Sequence, residues 1–185
     1  QVRGGTVMKG YYKRDELTAK VMHDDWFDTG DIGILTIDGE LVLKGRMKDT
    51  IVFRGGENIE PAAIEMQIND SRYVIQYMVV GQDQSYLGAL IIPCQEEVIN
   101  YATENGIPHS SYADLLKKDE IIKLIDSEVQ NIVNAKNGFK MFEKISRIVL
   151  IPKPFEVGIE LSAKQEIMRH KISAIYSKEI ETMFN

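Results

Sequence analysis

The 185-residue sequence has a single cysteine, Cys94, so no disulfide can close within the chain. That fits a reducing compartment, and a cytoplasmic location is the expectation. Cys94 follows "LIIP" and reads as a strand-end residue, because no histidine lies near it in sequence to draw off its proton. Histidine is almost as scarce. His23, His109 and His170 lack partners at metal-ligand spacing, so no metal site is expected. No apolar run reaches the ~18 residues that would span a bilayer. A basic excess is missing too: the net charge is −6, which argues against a dedicated nucleic-acid binder. The opening "QVRGGTVMKG" has neither an initiator Met nor the layout of a signal peptide, and a piece of a longer protein is expected. Internal repeats and low-complexity stretches are absent.

What remains is ordinary globular material, 44% hydrophobic and 27% charged. "YKRDELTAKVM" predicts a short helix with Leu17 and Val21 on one face, followed by "DDWFDTGDIG" as a loop. "GILTIDGELVLKG" predicts two strands joined at Asp38-Gly39, with positive φ at both turn residues. A strand over residues 50–53, a Gly-Gly turn and a helix opening at Pro61 come next. "YVIQYMVVG" and "LGALIIP" predict two strands. The helix after them runs from Gln95 and stops at Asn105-Gly106. Asp119 can cap a longer helix whose Ile122, Ile125, Val129 and Ile132 share a face. "ISRIVLIP" reads as a buried strand. The final helix carries Ile172, Tyr176, Ile180 and Met183 on one side. The order predicts an α+β domain: a β-hairpin plus a mixed sheet of about three strands flanked by helices, preceded by a short β-rich tail. The boundary is expected near Gly45, giving segments 1–45 and 46–185.

Two stretches could carry chemistry. In "WFDTGDIG", the Asp31 carboxylate could accept two hydrogen bonds from a ribose diol, or merely bond its own backbone in a turn. In "KGRMKDTIVFRGGENIEP", Arg46 offers a planar fork to an anion, and Lys48 and Asp49 sit where the chain passes between units. Gly55 and Gly56 would let a ligand lie against backbone; a charged surface hairpin is the plainer reading.

These stretches, in this order, resemble AMP-forming long-chain fatty acid–CoA ligases of the acyl-adenylate-forming superfamily. "GFKMFEKISRIVLIPKPFEVGIELSAKQEIMRH" is similar to their C-terminal end, so the likeness covers nearly the whole chain. The resemblance implies a fold, the small mobile C-terminal domain with the tail of the large N-terminal one. It implies an activity, in which a carboxylic acid and MgATP give acyl-adenylate and pyrophosphate, and coenzyme A thiol then displaces AMP. It implies site residues as well. Asp31 and Arg46 would hold the nucleotide, Lys48 with Asp49 would form the hinge, and Gly55, Gly56 and Glu57 would line the coenzyme A tunnel. The partners implied are fatty acid, ATP with Mg²⁺, coenzyme A and the N-terminal domain. That domain's Ser/Thr/Gly-rich phosphate loop, Tyr-Gly-x-Thr-Glu motif and acyl pocket are not in this sequence. The chain alone is therefore expected to bind none of the substrates and to be inactive. Long-chain acids favour a membrane surface, which the full-length protein would meet peripherally, although no basic amphipathic anchor is present.

One position departs from the family pattern. The loop before the last helix should carry a lysine that stabilises negative charge during adenylation. Aligning "IMRHKI" puts Glu166 there. Were the loop extended, Lys164 would share a side with Glu166 and could substitute for it. Loss of adenylation, leaving a non-catalytic relative, is the contrasting expectation, and a ligase for another carboxylic acid is a third.

Overall fold

The computed structural model describes residues 1–185, which divide into two compact units, Gln1–Thr50 and Ile51–Asn185. The first holds α1 (Asp15–Val21), then short strands β1 (Met22–His23) and β2 (Trp26–Phe27), and a hairpin of β3 (Asp31–Leu35) and β4 (Leu41–Arg46). Trp26 and Phe27, expected in a loop, instead pair with His23 and Met22, and Asp24 turns between them at φ 53°. The β3–β4 hairpin forms as expected, but its turn is of another type. Only Gly39 has positive φ (84°); its N–H bonds the Thr36 carbonyl at 3.0 Å. Asp38 therefore stays out of the left-handed region, and one glycine reverses the chain without a two-residue I′ turn.

The second unit opens with a two-stranded hairpin, β5 (Ile51–Val52) and β6 (Asn58–Ile59), leading into α2 (Pro61–Ile68). Pro61 stands in the first turn of α2, where a missing N–H costs nothing. A three-stranded mixed sheet follows: β7 (Val74–Val80) runs antiparallel to β8 (Leu87–Pro93), and β9 (Ile145–Leu150) runs parallel to β8. The β8–β9 crossover contains α3 (Gln95–Glu104), α4 (Tyr112–Leu115) and α5 (Asp119–Ile132). The chain closes with α6 (Arg169–Ile175) and α7 (Ser177–Phe184).

Strand alternation splits the core in two. Val79, Leu87, Ala89 and Ile91 face α2, α3 and α5, while Met78, Val80, Leu90 and Ile92 face Phe155, Ile172 and Met183. Central β8 is buried along its whole length, as an apolar run covered on both faces must be. Gly88 lets α7 settle on it: a Cβ there would stand 2.0 Å from Met183 Sδ.

Three expectations shift. On α5 the buried row is Ile121, Ile125 and Val129, and Ile122 is exposed; Lys118 is the N-cap, so Asp119 begins the helix proper. There Asp119 and Glu120 favour the positive end of the helix dipole. Strand β9 lies at an edge of the sheet, and of its residues only Ile145 is fully buried. The last helix breaks at Tyr176 (φ −101°, ψ 28°), yet Ile172, Tyr176, Ile180 and Met183 all still pack into one cluster.

Candidate functional site

In the first unit, β pairing sets Asp31, the first residue of β3, directly opposite Arg46, the last of β4. Arg46 Nη1 lies 3.4 Å from Asp31 Oδ1, with side chains 64% and 30% exposed. An exposed pair of this kind contributes at most about 1 kcal/mol, so both groups remain available to a ligand. The turn before β3 is held by other residues. Asp28 Oδ1 accepts the Gly30 N–H at 3.1 Å, Thr29 Oγ1 accepts the Asp31 N–H at 3.2 Å, and Gly30 takes φ 69°. The turn-forming role that the sequence allowed for Asp31 thus falls to Asp28. Gly30 also accepts the Met47 N–H at 2.8 Å, which ties the far end of β4 to the same loop.

Lys48 and Asp49 follow in a tight turn, where the Asp49 N–H bonds the Arg46 carbonyl at 2.9 Å. Lys48 is exposed and Asp49 half-buried, at the end of the first unit.

In the second unit, Gly55, Gly56 and Glu57 form the exposed tip between β5 and β6. The Gly56 N–H bonds the Phe53 carbonyl at 2.9 Å, and Gly56 has φ 89°. A Cβ on Gly55 would lie 2.4 Å from Glu57 Oε2, because the Glu57 side chain folds back over the tip. The neighbouring 81–84 turn buttresses it. Arg54 Nε donates to the Asp83 carbonyl at 2.6 Å, and Asp83 N–H to the Val52 carbonyl at 2.9 Å.

The segment carrying Glu166 is a turn. Leu161 and Ile167 bridge antiparallel, and Ser162–Glu166 close between them. Ser162 N–H donates to the Glu166 carbonyl at 2.8 Å, and Ser162 Oγ accepts the N–H groups of both Lys164 and Glu166 at 3.2 Å. Gln165 sits at φ 63°. The strand alternation expected to put Lys164 and Glu166 on one side therefore does not apply, because a left-handed residue intervenes. Both side chains are exposed.

Sequence reasoning missed a polar centre behind this turn. Glu65 on α2 is only 8% exposed and forms an ion pair with Arg169 Nη2 at the start of α6. Its Oε1 accepts the Val79 N–H at 2.9 Å, and Arg169 Nη1 donates to the Val79 carbonyl at 3.1 Å. One signal could have revealed it. In "PAAIEMQI" Glu65 shares the buried face with Pro61, Ile64 and Ile68, and an acid on such a face requires a partner. A groove of about 270 Å³ runs from Tyr77 and Asn69 to Gln165 of the turn. Burial, with Glu65 and Asp70 nearby, pushes the Tyr77 hydroxyl up to about 12. No three His, Cys, Asp or Glu side chains converge as a metal site would need, and no helix is long and apolar enough to cross a membrane.

A three-stranded mixed sheet with helices on both faces has counterparts among proteins of known structure. The adenylation domain of a carboxylate reductase from Mycobacterium chelonae superposes with TM-score 0.82 at 24% identity, over 97% of this chain and 26% of that one. The corresponding domain from Segniliparus rugosus, solved with AMP and a co-purified carboxylic acid, gives 0.79 at 27% identity, over 98% of this chain and 27% of its own. The chain belongs to the AMP-binding enzyme C-terminal domain family, whose model matches residues 48–185. Among named relatives, the probable acyl-activating enzyme 16 of Arabidopsis thaliana is 35% identical over the whole chain, which covers 26% of that protein. The long-chain-fatty-acid–CoA ligase FadD15 of Mycobacterium tuberculosis is 32% identical, again over the whole chain and 30% of its own length. The chain thus spans under a third of these two relatives.

Proposed function

We propose that this chain is the C-terminal part of an AMP-forming ligase that activates a long-chain fatty acid with MgATP and passes the acyl group to coenzyme A. The observation that carries the reading is the Asp31–Arg46 pair: a carboxylate suited to a ribose diol and a guanidinium suited to an anion meet across one strand pair, 3.4 Å apart. The substrate class follows the name of the Mycobacterium tuberculosis relative, a long-chain-fatty-acid–CoA ligase.

In this reading, the chain through the end of β4 closes the large domain, and the mobile one begins beyond the Lys48–Asp49 turn rather than at residue 46. Lys48 and Asp49 supply the hinge, as the first residues after a pinned strand end. Gly55, Gly56 and Glu57 form the coenzyme A loop, where absent side chains let an extended pantetheine approach the backbone. Mg²⁺ enters with ATP. Exposed Leu35, Leu41 and Leu43 on the β3–β4 hairpin fit burial against the larger domain, since an isolated two-stranded ribbon is marginal in water. The isolated chain is inactive and binds no substrate tightly. The full-length protein is cytoplasmic and meets membrane only peripherally, to collect its acid.

The deciding experiment incubates the full-length protein with long-chain fatty acid, MgATP and coenzyme A, and in parallel with preformed acyl-adenylate and coenzyme A. Acyl-CoA in both reactions supports the ligase. Product from acyl-adenylate alone supports the second reading, favoured by Glu166 on the turn: a relative that has lost adenylation. A shorter or aromatic acid preferred over the long-chain one supports a different substrate, and no product in either reaction overturns the ligase assignment.

A further inference from the structure

Strand β7 is an edge of the three-stranded sheet, so its outer N–H and C=O groups have no strand to pair with. Side chains answer them. Val79 gives its N–H to Glu65 and its carbonyl accepts from Arg169, which is what a neighbouring strand would provide. Three residues earlier, Gln76 makes the converse contact with the covering segment. Its Oε1 accepts the Phe155 N–H at 2.7 Å, and its Nε2 donates to the Phe155 carbonyl at 3.4 Å. The chain between β9 and α6 is thus pinned to the β7 edge at Phe155 and again at Arg169.

The Ser162–Glu166 turn lies between those pins. Its outgoing arm runs through Ile167, bridged to Leu161, and Met168, whose N–H bonds the Glu160 carbonyl at 2.8 Å. Arg169 comes next. Glu65, at the other end of the ion pair, sits on the helix that β6 leads into directly, and β6 is one arm of the hairpin carrying Gly55–Glu57. We infer that Glu65 and Arg169 are positioning residues: their buried pair caps the β7 edge and holds the Ser162–Glu166 turn in fixed register with the α2 side of the domain. Its catalytic consequence rests on the proposed ligase reading, because it places the adenylation turn and the coenzyme A loop on one rigid body.

The register and the catalysis are tested separately in the full-length protein. Hydrogen exchange is followed over residues 160–168 and over buried β8, residues 87–93. Arg169→Gln is expected to speed exchange over 160–168 by about 10- to 100-fold, as losing charge-assisted bonds would, and to leave β8 within about twofold. Arg169→Lys, which can reach one of the two acceptors, is expected to recover part of the protection. The double variant Glu65→Gln/Arg169→Gln leaves no lone buried charge and so keeps the test open if the single variant fails to fold; it is expected to show the same local loss. A uniform rise in both segments, or none in 160–168, overturns the inference. Where wild-type protein exchanges pyrophosphate, Arg169→Gln should lower kcat at least tenfold more than it changes KM for ATP, and the reverse split counts against positioning. If wild-type protein shows no exchange, adenylation fails as a reading while the exchange result still decides the positioning.

Discussion

Glu166→Lys separates catalytic charge from structure unusually well, because the Glu166 side chain is exposed and the turn is held by backbone. The Glu166 carbonyl accepts the Ser162 N–H at 2.8 Å, and its own N–H donates to Ser162 Oγ at 3.2 Å. Lysine keeps both bonds, so the unfolding free energy should change by less than about 0.5 kcal/mol. On the proposed ligase reading, which sets position 166 beside the reacting phosphate, the effect on adenylation should be large. A unit negative charge about 4 Å from the developing charge at the α-phosphate is repelled by roughly 4 kcal/mol at an effective dielectric near 20, and a cation reverses the sign. Solvent around an exposed side chain screens part of this. Removing one preorganised donor from a closed site typically costs about 3–4 kcal/mol, or 10²–10³ in rate. Glu166→Lys in the full-length protein should therefore raise fatty-acid-dependent pyrophosphate exchange by at least about 100-fold. It should leave conversion of supplied acyl-adenylate to acyl-CoA nearly unchanged, since the Gly55–Glu57 tip is untouched. Lys164→Ala should lower exchange less than about tenfold, because the left-handed Gln165 breaks the alternation that would align Lys164 with Glu166. Wild-type exchange as fast as that of Glu166→Lys would refute the reasoning, as would exchange abolished by Lys164→Ala.

Asp31→Asn should leave the unfolding free energy from urea titration within about 0.5 kcal/mol, because its pair with Arg46 is exposed, while on the proposed reading it weakens AMP binding by the full-length protein by about 10-fold or more in calorimetric titration. Gly88→Ala should lower stability by about 1–3 kcal/mol in urea unfolding, because the new Cβ would meet Met183 Sδ at 2.0 Å; Met183→Ala in the same chain should make the two changes less than additive. Burial raises Tyr77 and Tyr112 to about 12 from 10.0, so the unfolded chain loses these protons first. The stability they contribute is complete below about pH 10 and is lost as pH rises toward 12, and Tyr77→Phe with Tyr112→Phe should flatten that decline in pH-dependent urea unfolding.

Features set within a few residues were legible in the sequence. Alternation and apolar content gave away β7 and β8, Asn105-Gly106 marked the end of α3, and Pro61 marked the start of α2. The pairing of Asp31 with Arg46 followed from the hairpin once its register was known. What failed depended on choices nearly equal in local energy. The face of α5 slipped by one residue because Ile121 and Ile122 are adjacent and equally apolar, and only packing against β9 and α2 selects between them. The turn type at Asp38-Gly39 changed because one positive φ was enough to reverse the chain.

The Ser162–Glu166 turn belongs to both groups. Its hydroxyl-centred hydrogen bonds are local, but the conformation survives because its outgoing arm is tied to the β7 edge through a pair whose members lie 104 residues apart. No periodicity in either segment announces such a contact. The buried glutamate alone hints at it, since a carboxylate on the apolar face of α2 is tolerable only with a cation brought from elsewhere. On the proposed ligase reading a charge at position 166 matters to adenylation, and the clamp on the neighbouring backbone would hold it in place. A change at Glu166 should alter chemistry without altering the clamp. A change at Arg169 should loosen the clamp and alter chemistry only through it. Those two signatures are what would distinguish a lost catalytic charge from a lost catalytic position.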